Sequence, residues 1–559
     1  MSLNRRNALT WLGLGINDAA LTPSAAQAAA VTFDHGVASG DPLADRLIIW
    51  TRATPPAPTT KPFPVAWTVA DSPDFKSVVA RGQVQAGADR DFTVKIDVGG
   101  LKPGADYWFR FTAAGVSSPV GRTRTLPVAG VKDVALAVVS CSLYPAGYFN
   151  AYDAVAKLDR VDAVVHLGDY IYEYGAGPND YGTAGAVKMG RLLEPKHEIV
   201  SLADYRLRHA TYKSDPHLQA AHARAPWICV WDDHETANDS WLGGAENHTA
   251  GAEGDWNARK ANALRAYYEW MPLREPAAGG LAEAINRTFR FGDVAELVMV
   301  ETRLLARAKQ LDYAELPMRT VDGQQVPDFA AFMAERADPG RQLLGDKQER
   351  WLADTLKTSA DAGCAWQILG NQVVMGQVKG PDLKAAMSPA DWAAMLADLP
   401  EAFRPRIEKM AALFAQGVPF NLDAWDGYPA ARERVYAMIK AAKAQAIVLA
   451  GDSHAFWVNE LHDATGDRVA VEFGTTAVTS PGWGDFLPKQ DMGKIIADQN
   501  DEVIYSHQSA KGFTLLTLTR LEARADLIAV STVTDRDYRA STLKTYQVAR
   551  EFGAGVREA

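Results

Sequence analysis

The feature that most constrains the fold is a pair of short apolar segments with an amphipathic segment between them. Residues 134–139 and 163–167 are bounded by polar residues and have the length of strands that are buried on both faces. In residues 147–158 the apolar side chains recur at helical spacing. This pattern predicts a strand–helix–strand unit, in which functional side chains gather at the carboxyl ends of the strands.

Side chains that can bind metals follow four apolar runs of this kind. Two further runs, residues 227–231 and 446–450, join the pair described above. In chain order the four runs end in Ser140-Cys141, in Gly168-Asp169-Tyr170-Ile171-Tyr172, in Asp232-Asp233-His234-Glu235 and in Gly451-Asp452-Ser453-His454. Carboxylates are hard oxygen ligands, imidazole suits transition metals, and a thiolate or phenolate favours a metal such as ferric iron over magnesium. A single Gly-Asp turn is most simply structural, but four such strand ends together predict a metal site.

The order and spacing of these motifs resemble those of the purple acid phosphatases. Asp169 and Tyr172 form G-D-x-x-Y, while D-H-E at Asp233 and G-D-x-H at Gly451 stand where those enzymes have N-H-E and G-H-x-H. With Cys141 in place of the usual first Asp, the set is similar to that of the alkaline phosphatase D (PhoD) family of metallophosphoesterases. The resemblance extends through residues 205–235, 254–274, 366–375 and 425–432, and it covers nearly the whole mature chain.

The resemblance implies both a fold and an activity. The expected fold class is α/β, with a metallophosphoesterase-type β-sandwich core flanked by helices in residues 131–559 and a small all-β fibronectin III/Ig-like domain before it. The expected activity is metal-dependent hydrolysis of phosphodiesters and phosphomonoesters by a metal-activated hydroxide, without a covalent enzyme intermediate. Similar sequences include phospholipase D enzymes with the same metal chemistry, so a phosphodiesterase that acts on phospholipids is the alternative.

The resemblance also implies ligands for one ferric ion (Fe3+) and for one or two calcium ions (Ca2+). The iron ligands implied are Cys141, Asp169, Tyr172 and His454. Asp169 is expected to bridge to a calcium ion that Asp233 and Asp452 also bind. Asp232 is expected to serve a second calcium ion, although the roles of the two adjacent aspartates stay open. The V-x-x-H ligand of the purple acid phosphatases has no clear counterpart, which leaves the second metal incompletely ligated.

Residues near these ligands are expected to act on the substrate. His234 would contact the phosphate or protonate the leaving group, with Asp169 as the second catalytic residue. The alternative for His234 is a histidine that only supports a ligand. Asn257 and Arg259 open a helical segment, residues 257–270, whose backbone N–H groups and cationic side chain can hold a phosphate oxygen. A solvated helix face is the alternative for this pair.

Two neighbouring positions are expected to support the site. Asn238 closely follows the D-D-H-E motif and can orient it. Glu301-Thr302-Arg303 stands where many relatives have Asp-Thr-Arg, a difference that we expect to be structural.

The N-terminal 30 residues predict an export signal. Arg5-Arg6 precedes a weakly apolar run, residues 11–16, and Ala26-Gln27-Ala28 is a plausible cleavage site. The paired arginines indicate the twin-arginine export machinery and hence a periplasmic or secreted protein. Polar residues interrupt the apolar run, so a disordered N-terminus is the alternative. No run approaches the roughly 18 to 20 apolar residues needed to span a bilayer, so we expect no membrane partner.

The mature chain divides into a β-rich and a mixed part. In residues 31–126 the alternating runs 47–50, 63–69, 92–96 and 107–112 predict a sandwich, and residues 101–110 resemble the L-x-P-x-x-x-Y-x-F-R pattern of fibronectin type III domains. Beyond residue 131, residues 175–198 predict a loop over the site. Residues 202–223, 257–270 and 381–418 have mostly helical patterns.

Charge and cysteine content exclude several classes of function. The chain has 559 residues and a formal net charge of −10, which argues against a nucleic-acid-binding surface, so nucleic acid is expected only as a substrate. The three cysteines leave at least one without an intramolecular partner. Cys229 fits core packing and Cys364 a polar connection, whereas Cys141 is expected to be a thiolate ligand, with a cysteine nucleophile as the competing interpretation.

Two further classes of function compete with the phosphoesterase. A serine hydrolase would use Ser453 and His454, but no G-x-S-x-G elbow surrounds Ser453. A non-catalytic calcium-binding protein would not need the thiolate, phenolate and imidazole set. Small phosphate esters are the substrates that the resemblance implies.

Overall fold

The structure of the chain is a computed structural model that describes residues 30–178 and 180–559, except the side chain of residue 402. The expected signal segment therefore lies outside the described residues apart from its last residue.

The described residues form a mixed α/β fold. The strands are β1 (Val37–Gly40), β2 (Arg46–Arg52), β3 (Phe63–Ala70), β4 (Val78–Ala86), β5 (Thr93–Gly99), β6 (Asp106–Ala113), β7 (Val116–Ser117), β8 (Gly121–Arg124), β9 (Asp133–Val139), β10 (Ala163–His166), β11 (Trp227–Cys229), β12 (Arg287–Phe291), β13 (Ala295–Met299), β14 (Met318–Val321), β15 (Gln324–Pro327), β16 (Trp366–Gly370), β17 (Ala446–Ala450), β18 (Phe456–His462), β19 (Arg468–Gly474), β20 (Val503–His507), β21 (Lys511–Thr519), β22 (Glu522–Val530), β23 (Ala540–Ala549) and β24 (Val556–Glu558). The helices are α1 (Asn150–Ala156), α2 (Ala186–Met189), α3 (Leu202–Lys213), α4 (Pro216–Arg224), α5 (Ala250–Glu253), α6 (Trp256–Trp270), α7 (Phe329–Arg336), α8 (Asp346–Asp361), α9 (Leu383–Ala386), α10 (Pro389–Asp398), α11 (Arg404–Phe414), α12 (Pro429–Ala442), α13 (Trp483–Phe486) and α14 (Met492–Asp498).

Two large sheets form the centre of the molecule. One has ten strands in the order β24-β23-β22-β21-β9-β10-β11-β1-β2-β5, and the other has seven in the order β12-β13-β16-β17-β19-β18-β20. Strands β9, β10 and β11 run parallel, as do β13, β16, β17 and β19. The predicted strand–helix–strand unit is confirmed as β9, α1 and β10, with Val138 paired to Val165.

The two sheets pack face to face. Alternate residues of β17, Ile447 and Leu449, share one hydrophobic core with Leu136 and Val138 of β9. The intervening Val448 lies on the opposite face of β17, in a second core that α8 and α12 cover. Because the seven-stranded sheet is covered on both faces, its central strands need uninterrupted apolar sequence. This requirement explains the apolar run of residues 446–450, which forms β17.

Residues 31–126 contain strands and one 3₁₀ turn, Ala88–Arg90. The four predicted runs coincide with β2, β3, β5 and β6, and in β6 the buried Tyr107, Phe109 and Phe111 alternate with half-buried residues. Strands β4, β3, β6, β7 and β8 form a five-stranded sheet. Strands β1, β2 and β5 instead continue the ten-stranded sheet, because β1 pairs in parallel with β11. The ten-stranded sheet therefore takes strands from both parts of the chain.

Side-chain caps fix where the helical segments begin. The predicted helical segment 202–223 is two helices, because Asp215 caps α4 and Pro216 occupies its first turn. Helix α6 is capped by Asp255 and starts one residue before the predicted position. Segment 381–418 contains α9, α10 and α11, and the predicted loop 175–198 includes the one-turn helix α2. Among the described helices, none has both the length and the apolar character required to cross a membrane.

Candidate metal centre

Strands from both sheets end at one place. The side chains that follow β9, β10, β11 and β17 are Cys141; Asp169 and Tyr172; Asp232, Asp233 and His234; and Asp452 and His454. The segment after β19 ties the two sheets together, because Ser140 forms a parallel bridge with Ala477 and Thr475 Oγ1 donates a 2.9 Å hydrogen bond to the Val138 carbonyl. The four strand ends singled out in the sequence therefore lie together.

Seven of these residues place donor atoms in one continuous cluster. The three sets whose atoms all lie within 4.8 Å of one another are Cys141, Asp169 and His454; Asp169, Asp233 and His234; and Asp232, Asp233 and Asp452. Asp169 joins the first two sets and Asp233 joins the last two. Asp169 Oδ1 and Asp232 Oδ2 are buried without a hydrogen-bond partner. Buried carboxylate oxygens without partners are donors that a cation can satisfy.

Four donor residues have a strained backbone conformation. Cys141, Asp169, Asp452 and His454 have φ values of 59°, 58°, 57° and 59°, in the left-handed region that non-glycine residues rarely adopt. Such conformations cost on the order of 1–3 kcal/mol each and persist mainly at functional sites. Gly168 has φ 108°, and a Cβ atom there would lie 2.4 Å from the backbone nitrogen of Asp232. The close approach of β10 to β11 thus requires glycine at this position.

The cysteine end of the cluster, formed by Cys141, Tyr172 and His454, is held by hydrogen bonds. Tyr172 Oη donates to Asp169 Oδ2 at 3.0 Å and lies 3.3 Å from His454 Nε2, while Ser480 Oγ lies 2.7 Å from the same phenol oxygen. His454 Nδ1 lies 2.7 Å from the Pro481 carbonyl, which fixes the proton on Nδ1 and leaves Nε2 to face the cluster. This geometry presents an imidazole nitrogen and a phenol oxygen beside Asp169.

Burial keeps these donors neutral in the absence of a cation. Burial, reinforced by the nearby Asp169 carboxylate, raises the pKa of the Cys141 thiol well above its usual range. The same two causes raise the pKa of Tyr172. Burial lowers the pKa of His454 to about 3, so its imidazole is uncharged. A thiolate and a phenolate would form here only beside a positive charge.

His234 is paired with a buried carboxylate. Its Nδ1 lies 2.7 Å from Glu173 Oε2, and its ring packs 4.1 Å from the ring of Tyr172. Glu173 Oε1 accepts hydrogen bonds from the Asn238 backbone N–H and from Asn247 Nδ2. Burial alone would lower the pKa of His234, but the Asp233 and Glu173 carboxylates raise it well above its usual range. The pair is therefore an imidazolium and a carboxylate.

The carboxylate end, formed by Asp232, Asp233 and Asp452, contains a buried arginine. Arg303 Nε donates to Asp232 Oδ1, and Arg303 Nη1 donates to Asp423 Oδ2 at 2.6 Å. Burial raises the pKa of Asp232 to about 6, even with Arg303 beside it. Burial also raises the pKa of Asp452, and the neighbouring Asp232 adds to this shift. The acids repel one another strongly enough that they are not all ionised without further positive charge.

The expected phosphate-binding pair does not join the cluster. Arg259 is buried and paired with Glu198 at 2.8 Å and with Glu253 at 2.7 Å, and it donates to the Asn247 carbonyl. Asn257 is exposed in the first turn of α6. Arg259 thus supports the segment that carries Asn247, and its binding of phosphate stays a prediction.

Comparisons with known proteins agree with this geometry. A family model described as PhoD-like phosphatase matches residues 136–527, and a second, for the N-terminal domain of such phosphatases, matches residues 19–127. Alkaline phosphatase D of Bacillus subtilis (strain 168) is 33% identical over 540 residues, which cover 94% of this chain and 82% of that protein. The chain belongs to the PhoD-like phosphatase family. The predicted resemblance is confirmed.

A solved structure supports the same conclusion for the fold. The structure described as "Structure of PhoD" aligns with a TM-score of 0.76 and 30% identity, over 95% of this chain and 92% of that one. As a member of the PhoD-like phosphatase family, the protein is a phosphoric ester hydrolase.

Several residues of this PhoD-like phosphatase site were missed by sequence reasoning. Glu173, Asp423 and Ser480 all contact a donor residue or a partner of one, and so does Arg303, which the sequence analysis named only as part of a structural motif. Glu173 directly follows Tyr172 of the G-D-x-x-Y motif, so its position in the sequence could have identified it. Asp423 and Ser480 lie in irregular segments far from the motifs, and nothing in their local sequence marks them.

Other residues of the phosphatase make contacts that indicate a structural role. Glu301 accepts hydrogen bonds from the backbone N–H groups of Arg303, Leu304 and Leu305 and so shapes the turn after β13. Ser453 Oγ accepts a 2.7 Å hydrogen bond from the Trp457 indole, and not from His454. None of the three cysteines, all of which the structure describes, is in a disulfide. Cys364, expected in a polar connection, is buried.

Proposed function

We propose that this member of the PhoD-like phosphatase family is a metal-dependent phosphoesterase that hydrolyses phosphodiesters and phosphomonoesters. The observation that carries the proposal is the convergence of three donor sets, each within 4.8 Å, at strand ends from both sheets. We also propose a metallophosphoesterase-type sandwich for the core, which the two face-packed sheets support.

The donors of the cysteine end fit a ferric ion. Cys141, Asp169 and His454 form one donor set, and the Tyr172 phenol lies beside it. Thiolate and phenolate ligands favour such a metal over magnesium. Cys141 is fully buried and its thiol donates a hydrogen bond to Ser140 Oγ at 3.2 Å, so these surroundings favour the neutral thiol and a bound cation would favour the thiolate.

The donors of the carboxylate end fit a hard divalent cation such as calcium. Asp169, Asp233 and Asp452 supply oxygen donors next to the iron position, and Asp232 Oδ2 is free for a second calcium. Asp169 belongs to two of the three donor sets and would supply oxygen donors to both cations.

The chain's own residues then prepare the phosphate ester for hydrolysis. When bound, the cations would neutralise phosphate oxygens and activate a water molecule. Glu173 holds Nδ1 of His234, which leaves Nε2 for the ester. The imidazolium form favoured by Asp233 and Glu173 can donate a proton to the leaving oxygen. His234 thus acts as the acid, and Asp169 orders the donors around it.

Metal content and the visible spectrum test this proposal. Purified wild type is expected to contain about one iron per chain with calcium, by the ligand count above, and to show a visible charge-transfer band. Cys141→Ala should lose or shift that band and lose activity on an aryl phosphodiester. Cys229→Ala, which removes a buried thiol outside the donor sets, is the matched control. A metal-free but active and folded wild type would refute the metal site.

We also propose export and a substrate range. Arg5-Arg6 supports recognition by the twin-arginine machinery and a periplasmic or secreted location. Small phosphate esters are the proposed substrates. Phospholipid or extracellular nucleic acid would be bound only as a substrate and not as a stable partner. Replacing both arginines by lysine should leave the protein in the cytoplasm, whereas unchanged export would argue against this route.

A further inference from the structure

Arg303 lies among four carboxylates, of which those of Asp232, Asp233 and Asp423 are buried. Its guanidinium is fully buried, bonds to Asp232 and Asp423, and lies 3.5 Å from Asp452 and 3.9 Å from Asp233. Three of these four acids form the carboxylate donor set, whereas Asp423 belongs to none of the three sets. One arginine therefore faces every acid of the carboxylate end.

Asp423 is bound by arginines on both sides. Its Oδ2 accepts from Arg303, and its Oδ1 accepts from Arg307, whose guanidinium also packs over the Tyr428 ring. Both oxygens of Asp423 are thus occupied by cationic side chains. These contacts indicate that Asp423 holds Arg303 and Arg307 in place.

The shape of the guanidinium matters as well as its charge. The nitrogen atoms Nε and Nη1 are each bonded to one acid, while Nη2 is directed between Asp452 and Asp233 and has no hydrogen-bond partner. A planar fork of fixed geometry can hold several carboxylates at once, which an ammonium group on a flexible stem does less well. Removing a positive charge from such a buried group would leave uncompensated carboxylates.

We propose that Arg303 is a built-in counter-ion that occupies a cation position between Asp232 and Asp423. The inference rests on the proposed metal site and goes beyond it, because it assigns one positive charge of the centre to the chain itself. Its consequence is that the carboxylate end binds one calcium ion fewer than its acids would otherwise attract. Arg303 is thus a positioning residue for the acids that bind calcium.

Calcium stoichiometry tests the inference. Wild type, Arg303→Met and Arg303→Lys are stripped with a chelator and dialysed against calcium chloride, and calcium and iron per chain are measured by mass spectrometry. Arg303→Met should bind one calcium more than wild type. Arg303→Lys, which keeps the charge, should keep the wild-type number. The double variant Arg303→Met with Asp423→Asn removes one charge of each sign and should return the count to the wild-type value.

The outcomes separate this inference from the proposed function. An equal or lower calcium count in folded Arg303→Met overturns the inference while leaving the metal site intact. If Arg303→Met does not fold, Arg303→Gln, which is uncharged but polar, takes its place and should also bind one calcium more than wild type; an unchanged count in folded Arg303→Gln would overturn the inference. A folded wild type that binds no cation would instead refute the metal site itself, and the inference with it.

Discussion

The molecule contains two buried polar clusters attached to the same strands, β10 and β11. The metal centre follows the carboxyl ends of these strands. The second, here called the histidine cluster, consists of Tyr152, His166, Tyr170, Lys213, His222 and Trp227. Its hydrogen bonds run between rings, hydroxyls and one amine: Tyr152 to His166 at 2.9 Å, Tyr170 to His222 at 2.9 Å, and Lys213 to His222 at 3.1 Å.

Asp452 and His454 of the candidate metal centre are partly exposed, whereas the histidine cluster is buried throughout, and the two clusters also differ in charge and in backbone conformation. In the histidine cluster burial lowers the pKa of His166 to about 3, so this ring stays neutral. In the metal centre carboxylates converge, and four donor residues have positive φ. Buried imidazoles alone therefore do not identify a functional site. A site where like charges converge and the backbone is strained is a better indicator. Both features lower the stability of the folded protein, and both are found mainly at functional sites.

Asp169→Asn should break the metal centre most completely. Asp169 belongs to two donor sets, so iron and calcium should both be lost and kcat/KM should fall by about 10³-fold or more, the several kcal/mol that a metal supplies. Metal analysis and steady-state kinetics measure this. In Asp159→Asn, at an exposed carboxylate, both quantities should stay within about twofold. If the Asp169→Asn variant kept its full metal content, Asp169 would not be a ligand that the two metals share.

Calcium chelation should affect the two ends of the candidate metal centre differently. Treatment with EGTA should reduce kcat by about 10²-fold or more, because the carboxylate end loses its cation, and added calcium should restore it. The visible band should persist, since Cys141 and Tyr172 belong to the other end. A band that disappears with calcium would show that the iron position depends on the carboxylate end.

Glu173→Gln should sharpen the role of His234. The change removes the carboxylate that orients the ring, so kcat should fall by about 10–100-fold, as for other groups that orient a ligand or catalytic histidine, while KM stays similar. The loss should be larger for alkyl than for 4-nitrophenyl esters, because poor leaving groups depend most on a proton donor. Equal losses for both esters would instead indicate a purely structural role. Glu335→Gln, at an exposed position, is the control.

The sequence predicted the parts of the fold and site that depend on local patterns. Runs buried on both faces are uninterrupted in sequence, so β9, β10 and β17 were found, and the motif residues that follow them do converge. The pairing of β1 with β11 was not predictable, because register between distant strands leaves no local pattern. For the same reason Arg303, bonded to Asp232 and Asp423 across 71 and 120 positions, was noted only as part of a structural motif.

Lys213→Met should change stability without changing the metal centre. Lys213 Nζ lies over the rings of Trp50 and Tyr170 and beside His222, and burial lowers its pKa from 10.5 to about 7. Between these two values the unfolded chain binds more protons than the folded one, so this residue makes wild-type stability rise with pH across that window.

Below about pH 7 the full cost of the buried ammonium is present, a few kcal/mol by the size of the shift. Lys213→Met should therefore be more stable than wild type at pH 6, by denaturant unfolding, and the difference should shrink steadily towards pH 10. Its metal content and kcat/KM should match wild type, since Lys213 belongs to none of the donor sets. A stability difference that does not vary with pH would mean that the pKa of Lys213 is the same in the folded and the unfolded protein.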